Sequence, residues 1–508
     1  MSWIEKLISP FSPAWALQRV KSRQELNARF SVMGYEAATK DRLHSAKRQT
    51  QSANQSVAMG GVSLREQARK LDEDHDLVIG IFDKLEERVV GANGIMVEPQ
   101  PRDTNGEVLD SLAKEIRRRW AAWSLKPEVT GTYTRPELER MLFRTAARDG
   151  EVFTQLVRGS VPGLNHPNPN GTPFSLEALE PDFVPFHMNE VAKRIIQGIE
   201  VNQWRQPLAY HVFYDHPSDS FGITAKTKRV LKENMLHLAH RKRLHQLRGI
   251  TLLHGVIKRL GDLKDYEESE RVAARIAAAL AFFIKKGTPD LYVAPQEQTA
   301  PRQIPFAPGV CFDDLQAGEE VGMIESNRPN THLAEFRNGQ LRMVASGTRG
   351  AYSSIARDYN GTYSAQRQEL VEGWESFAVL QQWFVAQQAR PVFRAWLEME
   401  LLRTTDPLDI PANLDRRTLY DAVYLAPVMP WIDPKKETDA WKERIKGGNA
   451  TEAMWVRASG HNPEEVKRAR VKEIEENRKQ GLVFDTDPSN NQGAQSNEPQ
   501  TPQPDDDA

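Results

Sequence analysis

Between residues 63 and 90 the apolar positions Leu64, Ala68, Leu71, Leu77, Val78, Ile81, Phe82, Leu85 and Val89 recur at helical spacing, and Gly91 follows. That period predicts an amphipathic helix closed by the glycine. A second helix is predicted over residues 109–123, and a third opens at Thr134-Arg-Pro136-Glu137, with Thr134 as its cap and Pro136 in the first turn. The period then changes to two. Residues 151–157, 175–179, 195–201 and 209–214 are short, alternating or β-rich, and turns such as Pro167-Asn-Pro-Asn-Gly171 separate them. They read as strands of an α+β region of roughly 190 residues.

Residues 262–286 then run without Gly or Pro, acids first (Asp262, Asp265, Glu267, Glu268, Glu270) and Lys285-Lys286 last, the order a helix dipole favours. A continuous helix of that length spans about 37 Å. Its apolar side, Leu263, Tyr266, Val272, Ile276, Leu280 and Phe283, calls for burial. Residues 287–329 are richer in Pro and Gly and read as a loop-and-strand module. A short helix is expected over 333–345, interrupted by Gly339, and a long loop over 346–363. A long helix capped by Ser364 follows to Arg390, and Pro391 is placed to kink it before 392–402. Its Trp374, Phe377, Trp383 and Phe384 read as core rather than as a stacking stripe for bases. A Pro-rich segment at 427–434 and two charged helical stretches reaching Gly481 complete the pattern.

Composition narrows the class. The 508 residues are 39% hydrophobic and 27% charged with 31 Gly and 31 Pro, which excludes collagen, mucin and coiled-coil rod. The longest apolar run, 276–284, falls short of the roughly 20 residues that cross a bilayer, so no membrane partner is expected. The first residues carry no cleavable leader pattern and Cys311 stands alone, which predicts a soluble protein of a reducing cytoplasm. Charge is uneven. Residues 483–508 hold six acids and no Lys or Arg, with few apolar side chains, and read as a disordered acidic tail. Residues 225–259 hold ten Lys or Arg against Glu233 alone, a phosphate-facing patch or simply a solvated or subunit-facing basic surface.

Enzymatic motifs are missing. The chain has no Gly-x4-Gly-Lys-Ser/Thr loop, no Gly-x-Ser-x-Gly elbow, no His-Glu-x-x-His and no Cys-x-x-Cys, so no ATPase, serine hydrolase or zinc enzyme is indicated and no cofactor is expected. Two constellations are worth weighing. His237, His240, His245 and His254 would make a metal site if they shared a helix face, although the Lys and Arg among them repel a cation. Asp72-Glu-Asp-His-Asp76 would hold a divalent ion or be a solvated helix turn.

Several ordered segments resemble the lambda-type family of bacteriophage portal proteins. They are Glu87-Arg-Val-Val-Gly-Ala-Asn-Gly94; Gly150-Glu-Val-Phe153; Leu179-Glu-Pro-Asp182; Gly198-Ile-Glu200 with Arg205-Gln-Pro-Leu-Ala-Tyr-His211; His237 with Gln246-Leu-Arg-Gly-Ile250; Tyr363-Ser-Ala-Gln-Arg367; and Trp431-Ile-Asp-Pro-Lys-Lys-Glu437. The likeness runs from about residue 15 to 482. Two departures are Ala365, where the family more often has a second Ser, and His240-Arg-Lys-Arg243, where a Pro-containing turn is more usual.

The resemblance implies an α+β portal fold assembled as a homo-oligomeric ring of about twelve subunits at one capsid vertex of the virion, built in the host cytoplasm. Double-stranded DNA would enter and leave through it. It implies partners too: the terminase large subunit, which would supply the ATP hydrolysis, a head-completion or adaptor protein, and the major capsid and scaffold proteins. By that analogy residues 1–60 are an arm, 61–249 the wing, 250–286 a stem helix, 287–332 the clip, 333–345 a second stem helix, 346–363 a tunnel loop, 364–435 the wing's long helix and return, 436–482 the crown and 483–508 the tail. Twelve stem helices about 10 Å apart enclose about 28 Å of clear bore, enough for a duplex about 20 Å wide, whereas nine leave about 19 Å. Glu267, Glu268 and Glu270 facing that bore would repel DNA and let it slide, or they simply complement the helix dipole. Arg349 and Arg357, the only cations of residues 346–363, would touch passing phosphates if that loop reaches the axis, or stand solvated on a surface loop. The competing reading is a DNA-processing enzyme that uses the basic run 225–259; a scaffold or adaptor without a channel is a third.

Overall fold

The computed structural model describes residues 13–31, 49–219, 226–278, 282–286, 319–323, 332–429, 434–482 and 484. The chain divides into two units, Met1–Ser56 and Val57–Ala508. The first contains helix α1 (Pro13–Ser31), whose Trp15 and Leu17 are exposed.

The second unit opens on α2 (Ala53–Asp74), which begins just ahead of the boundary, and α3 (Asp76–Val89). The expected single helix over 63–90 is therefore two. His75 breaks it with an extended backbone, and its buried ring reaches the Leu260 carbonyl at 3.2 Å, a partner far away in sequence. After β1 (Met96–Pro99) come α4 (Asp110–Trp123) and α5 (Arg135–Asp149). Helix α5 starts as expected: the Thr134 N–H and hydroxyl both donate to the Glu137 carboxylate, at 2.8 and 2.7 Å.

The strands follow the period-two segments: β2 (Glu151–Arg158), β3 (Phe174–Leu179), β4 (Ile195–Ile196), β5 (Ile199–Val201), β6 (Pro207–Phe213), β7 (Thr227–Leu231) and β8 (Met235–Ala239). They form two antiparallel sheets, ordered β3-β2-β8 and β4-β5-β6-β7. The run 195–201 is two strands because Gln197 and Gly198 turn the chain at positive φ. An α+β architecture is thus what the pattern predicted.

Helix α6 (Ile257–Ala278) ends well before Lys286, and Phe282–Lys286 is instead strand β9, paired antiparallel with β10 (Glu319–Met323). The run Phe282-Phe283-Ile284 has strand propensity, and a pairing partner some 35 residues on decides the choice, which a local reading cannot foresee. Helix α7 (Leu333–Thr348) continues through Gly339 and past residue 345. The segment 346–363 is not wholly loop either, since α8 (Tyr352–Ala356) lies inside it.

Helix α9 (Tyr363–Phe384) passes through a π-helical turn, Val385–Ala389, into α10 (Arg390–Leu401). Its cap is Thr362 rather than Ser364, and the irregularity lies before Pro391, which sits in the tolerated first turn of α10. Strand β11 (Ala422–Leu425) pairs with β1, and the described residues 434–482 hold three helices rather than two: α11 (Pro434–Lys446), α12 (Glu452–Ala458) and α13 (Pro463–Lys479).

The main core joins α3–α5 to β2, β3, α9 and α10 around Trp120, Trp123, Phe174, Phe393 and Trp396, whose rings lie 4.9–6.3 Å apart where they meet. A second cluster, including Phe153, Ile199, Tyr210 and Met235, lies between the two sheets. Phe377 and Phe384 are buried and Trp374 and Trp383 pack against the main core, as their spacing indicated. Residues 287–318 and 485–508, and with them most of the expected clip and tail, lie outside the described residues.

Candidate functional site

Three of the segments that carry the sequence resemblance, Gly150–Phe153, Leu179–Asp182 and His237 with Gln246–Ile250, meet in space. Glu151 opens β2 directly after Gly150, the left-handed C-cap of α5, and its side chain is buried. The Glu151 carboxylate accepts from Arg248 Nε at 2.6 Å, from the Gly249 N–H at 2.8 Å and from His237 Nε2 at 2.8 Å. Arg248, fully buried, spends its other nitrogens on the carbonyls of Pro181, Val184 and Gln197. Arg241 Nη2 lies 3.1 Å from His237 Nδ1, so that atom accepts and the proton sits on Nε2, facing Glu151. Desolvation pushes His237 down to about 4, against the hydrogen bond it donates to Glu151, which favours its charged form. Desolvation alone would raise Glu151, but Arg248, His237 and the Gly249 N–H outweigh it and hold the carboxyl at about 2.

Backbone contact closes the same knot. A Cβ on Gly249 would stand 2.0 Å from the Gly150 carbonyl oxygen, and one on Gly150 2.3 Å from the carbonyl carbon of Ile250. Asp182 of the Leu179–Asp182 segment binds Arg65 at 3.1 Å and Arg69 at 2.5 Å, and Arg69 also grips Asp149 at 2.7 Å. This ionic lock ties α2 and α5 to the sheets. Glu151, Arg248 and Asp149 are buried and Arg69 and Asp182 are partly so, and the arrangement fixes how α2 and α5 pack on the sheets.

The second constellation is the helix pair. Helices α6 and α7 run antiparallel: Glu267 binds Arg337 at 2.6 Å, the rings of Tyr266 and Phe336 lie 5.0 Å apart, Arg259 bonds Gln340, and a Cβ on Gly347 would strike Val256. The base of α6 is fixed through Leu260 and Leu263 in the core and through Lys264, which donates to the Asp74 carbonyl at 2.8 Å. Asp262, Asp265 and Glu268 are exposed along one side of α6. Of the three carboxylates singled out from sequence, Glu268 is exposed, Glu267 is half-buried in its ion pair, and Glu270 is buried, 4% exposed. Arg349 and Arg357 are both exposed, and each closes a helix, α7 and α8, in the left-handed region.

The structure places both constellations weighed from sequence. The four histidines share no helix face: His237 is on β8 against Glu151, His240 bonds the Ile250 carbonyl, and His254 bonds the Thr251 carbonyl. Asp72 is bound to Arg144 at 2.7 Å and Asp74 to Lys70 at 2.5 Å, so the acidic run is an ion-paired helix end. Among the described residues one other trio, Glu180, Asp182 and His216, comes within ligand distance, and Arg69 already fills it, 2.5 Å from Asp182 and 3.6 Å from Glu180. The basic run is not a continuous outward patch. Arg248 is buried, Arg229 binds Glu200 at 2.7 Å, and Lys228 binds Glu177 at 3.3 Å.

The chain is thus a mixed α/β body held by buried ion pairs that carries an antiparallel helix pair with exposed Asp262, Asp265 and Glu268. Residues 39–381 match the lambda family of phage portal proteins, and the chain belongs to that family. A probable portal protein of Halomonas phage phiHAP-1 is 25% identical over 421 residues, 80% of this chain and 78% of that one. Portal protein B of Escherichia phage lambda is 24% identical over 179 residues, 34% of each chain. Among solved structures, a chain from the neck of an empty gene transfer agent particle aligns with 80% of this chain and 94% of its own length at 12% identity and a TM-score of 0.48.

Proposed function

We propose that this chain is the subunit of a portal ring of about twelve copies at one capsid vertex, the passage for double-stranded DNA during packaging and ejection. The observation that carries the reading is the antiparallel pair α6/α7, with exposed Asp262, Asp265 and Glu268 on one side, in a chain that belongs to the portal family. Twelve copies of α6 lining an axis about 10 Å apart leave about 28 Å of clear bore, and carboxylates facing it keep DNA from sticking, because cationic contacts release counterions and bind strongly. In this reading α6 and α7 are the stem, residues 287–332 the clip that docks terminase and then a head-completion protein, 346–363 the tunnel loop, and 436–482 the crown. The ring hydrolyses no nucleotide itself; the docked terminase does. Particles assembled without this chain, but with capsid and terminase present, are expected to contain no packaged DNA. Full packaging in its absence would remove the proposed role.

A further inference from the structure

The π-helical turn 385–389 backs a cavity of about 430 Å³ on the wing that the ring reading does not use. Arg205, Lys232 and Arg241 line it, together with Tyr210, Trp204 and Gln387, and no carboxylate does. Arg205 and Lys232 are exposed, and neither enters an ion pair with a described residue. Burial holds the Arg241 guanidinium below its ordinary value, so an incoming negative charge is favourable to it. The mouth is built rather than loose: the Asn202 side chain accepts from the N–H groups of Trp204 and Gln206, both at 2.9 Å, and presents the Trp204 indole 80% exposed.

Two further features mark the place. Of the seven non-glycine residues at positive φ among the described residues, Arg205 and His245 both line this one cavity, and such backbone concentrates at ligand sites. At its back Gln387 Oε1 is a buried acceptor without a hydrogen-bond donor. The ligand therefore brings negative charge, an N–H and a chain thin enough to enter. A polypeptide rich in carboxylates meets all three, whereas a duplex about 20 Å wide cannot enter and its backbone has no N–H to offer.

We propose that this cavity binds the chain's own acidic tail, residues 483–508. That segment holds Asp485, Asp487, Glu498, Asp505, Asp506 and Asp507 with no Lys or Arg, the complement of the cavity's lining. As a flexible coil the chain beyond residue 484 would span about 27 Å, with a stretched reach of about 80 Å. The assignment does not depend on the ring or on DNA passage.

The test uses a labelled peptide of residues 483–508 and the full chain with its six tail acids changed to Asn or Gln, which leaves the cavity open. Fluorescence anisotropy is expected to show saturable binding that weakens as salt rises. Lys232→Glu combined with Arg205→Glu is expected to weaken it at least ten-fold with circular dichroism unchanged, and the wild-type full chain to bind the peptide more weakly because its own tail competes. In the wild-type chain, zero-length carbodiimide coupling should join Lys232 to a tail carboxylate, read by mass spectrometry. The proposal is overturned if the peptide does not bind the open variant, if the charge reversals leave binding unchanged, or if single-stranded DNA saturates the cavity where the peptide does not.

Discussion

Replacing Glu151 by Gln keeps the shape of the side chain and removes its charge. In the structure two carboxylate oxygens serve three donors, Arg248 Nε, the Gly249 N–H and His237 Nε2, all within 2.8 Å. An amide offers one oxygen, so its NH2 group is turned toward donors and Arg248 stays fully buried without a counter-charge. Removing one partner of a buried pair costs about 3–5 kcal/mol. Urea unfolding at pH 7, followed by circular dichroism, should show the variant less stable by that order.

The pH dependence sharpens the test. Glu151 is held at about 2, so its stabilisation is complete above the ordinary carboxyl range and is lost as the pH falls toward 2. The gap between wild type and variant should therefore shrink across that window. His237 acts at a higher pH. Because burial holds it down at about 4, the unfolded chain takes up a proton first, and the wild type should lose stability as the pH falls from about 6.5 to 4. A cost at pH 7 below about 1 kcal/mol would place the pair among surface-like ion pairs and refute the lock.

Gly249→Ala, whose Cβ would press on the Gly150 carbonyl oxygen at 2.0 Å, should destabilise by more than the roughly 1–3 kcal/mol of ordinary overpacking, read as a lowered Tm or loss of soluble protein. Arg349→Ala with Arg357→Ala, both exposed, should leave assembly intact while reducing the DNA packaged or retained per particle. Wild-type packaging by that double variant would take residues 346–363 out of the DNA path.

What the sequence makes legible is local. Thr134 and Glu137 lie three apart and cap α5 wherever the rest of the chain goes, and the alternation over 151–157 is enough for β2. What it hides is set at a distance. His75 breaks a helical pattern because of a carbonyl 185 residues away, and residues 282–286 leave the helix because β10 exists to pair with them. The lock is the clearest case. Glu151, Asp182, His237 and Arg248 stand in different short segments, each visible as part of a family likeness, but no spacing rule joins a glutamate to an arginine 97 residues on. Gly150-Glu151 and Arg248-Gly249 each set a charged residue beside a glycine, and that neither glycine tolerates a side chain shows only where the two backbones meet. The four histidines share no helix face for the same reason, since β8 and a 3-10 turn occur where a helix would have aligned them.

The central claim, that this chain forms a channel, is tested most directly by imaging the purified protein in negative stain and measuring its mass by light scattering over a range of concentrations and salts. The account predicts closed rings near twelve subunits with a central hole wide enough for a duplex. A strictly monomeric or dimeric mass under every condition, with no ring in the images, would contradict it.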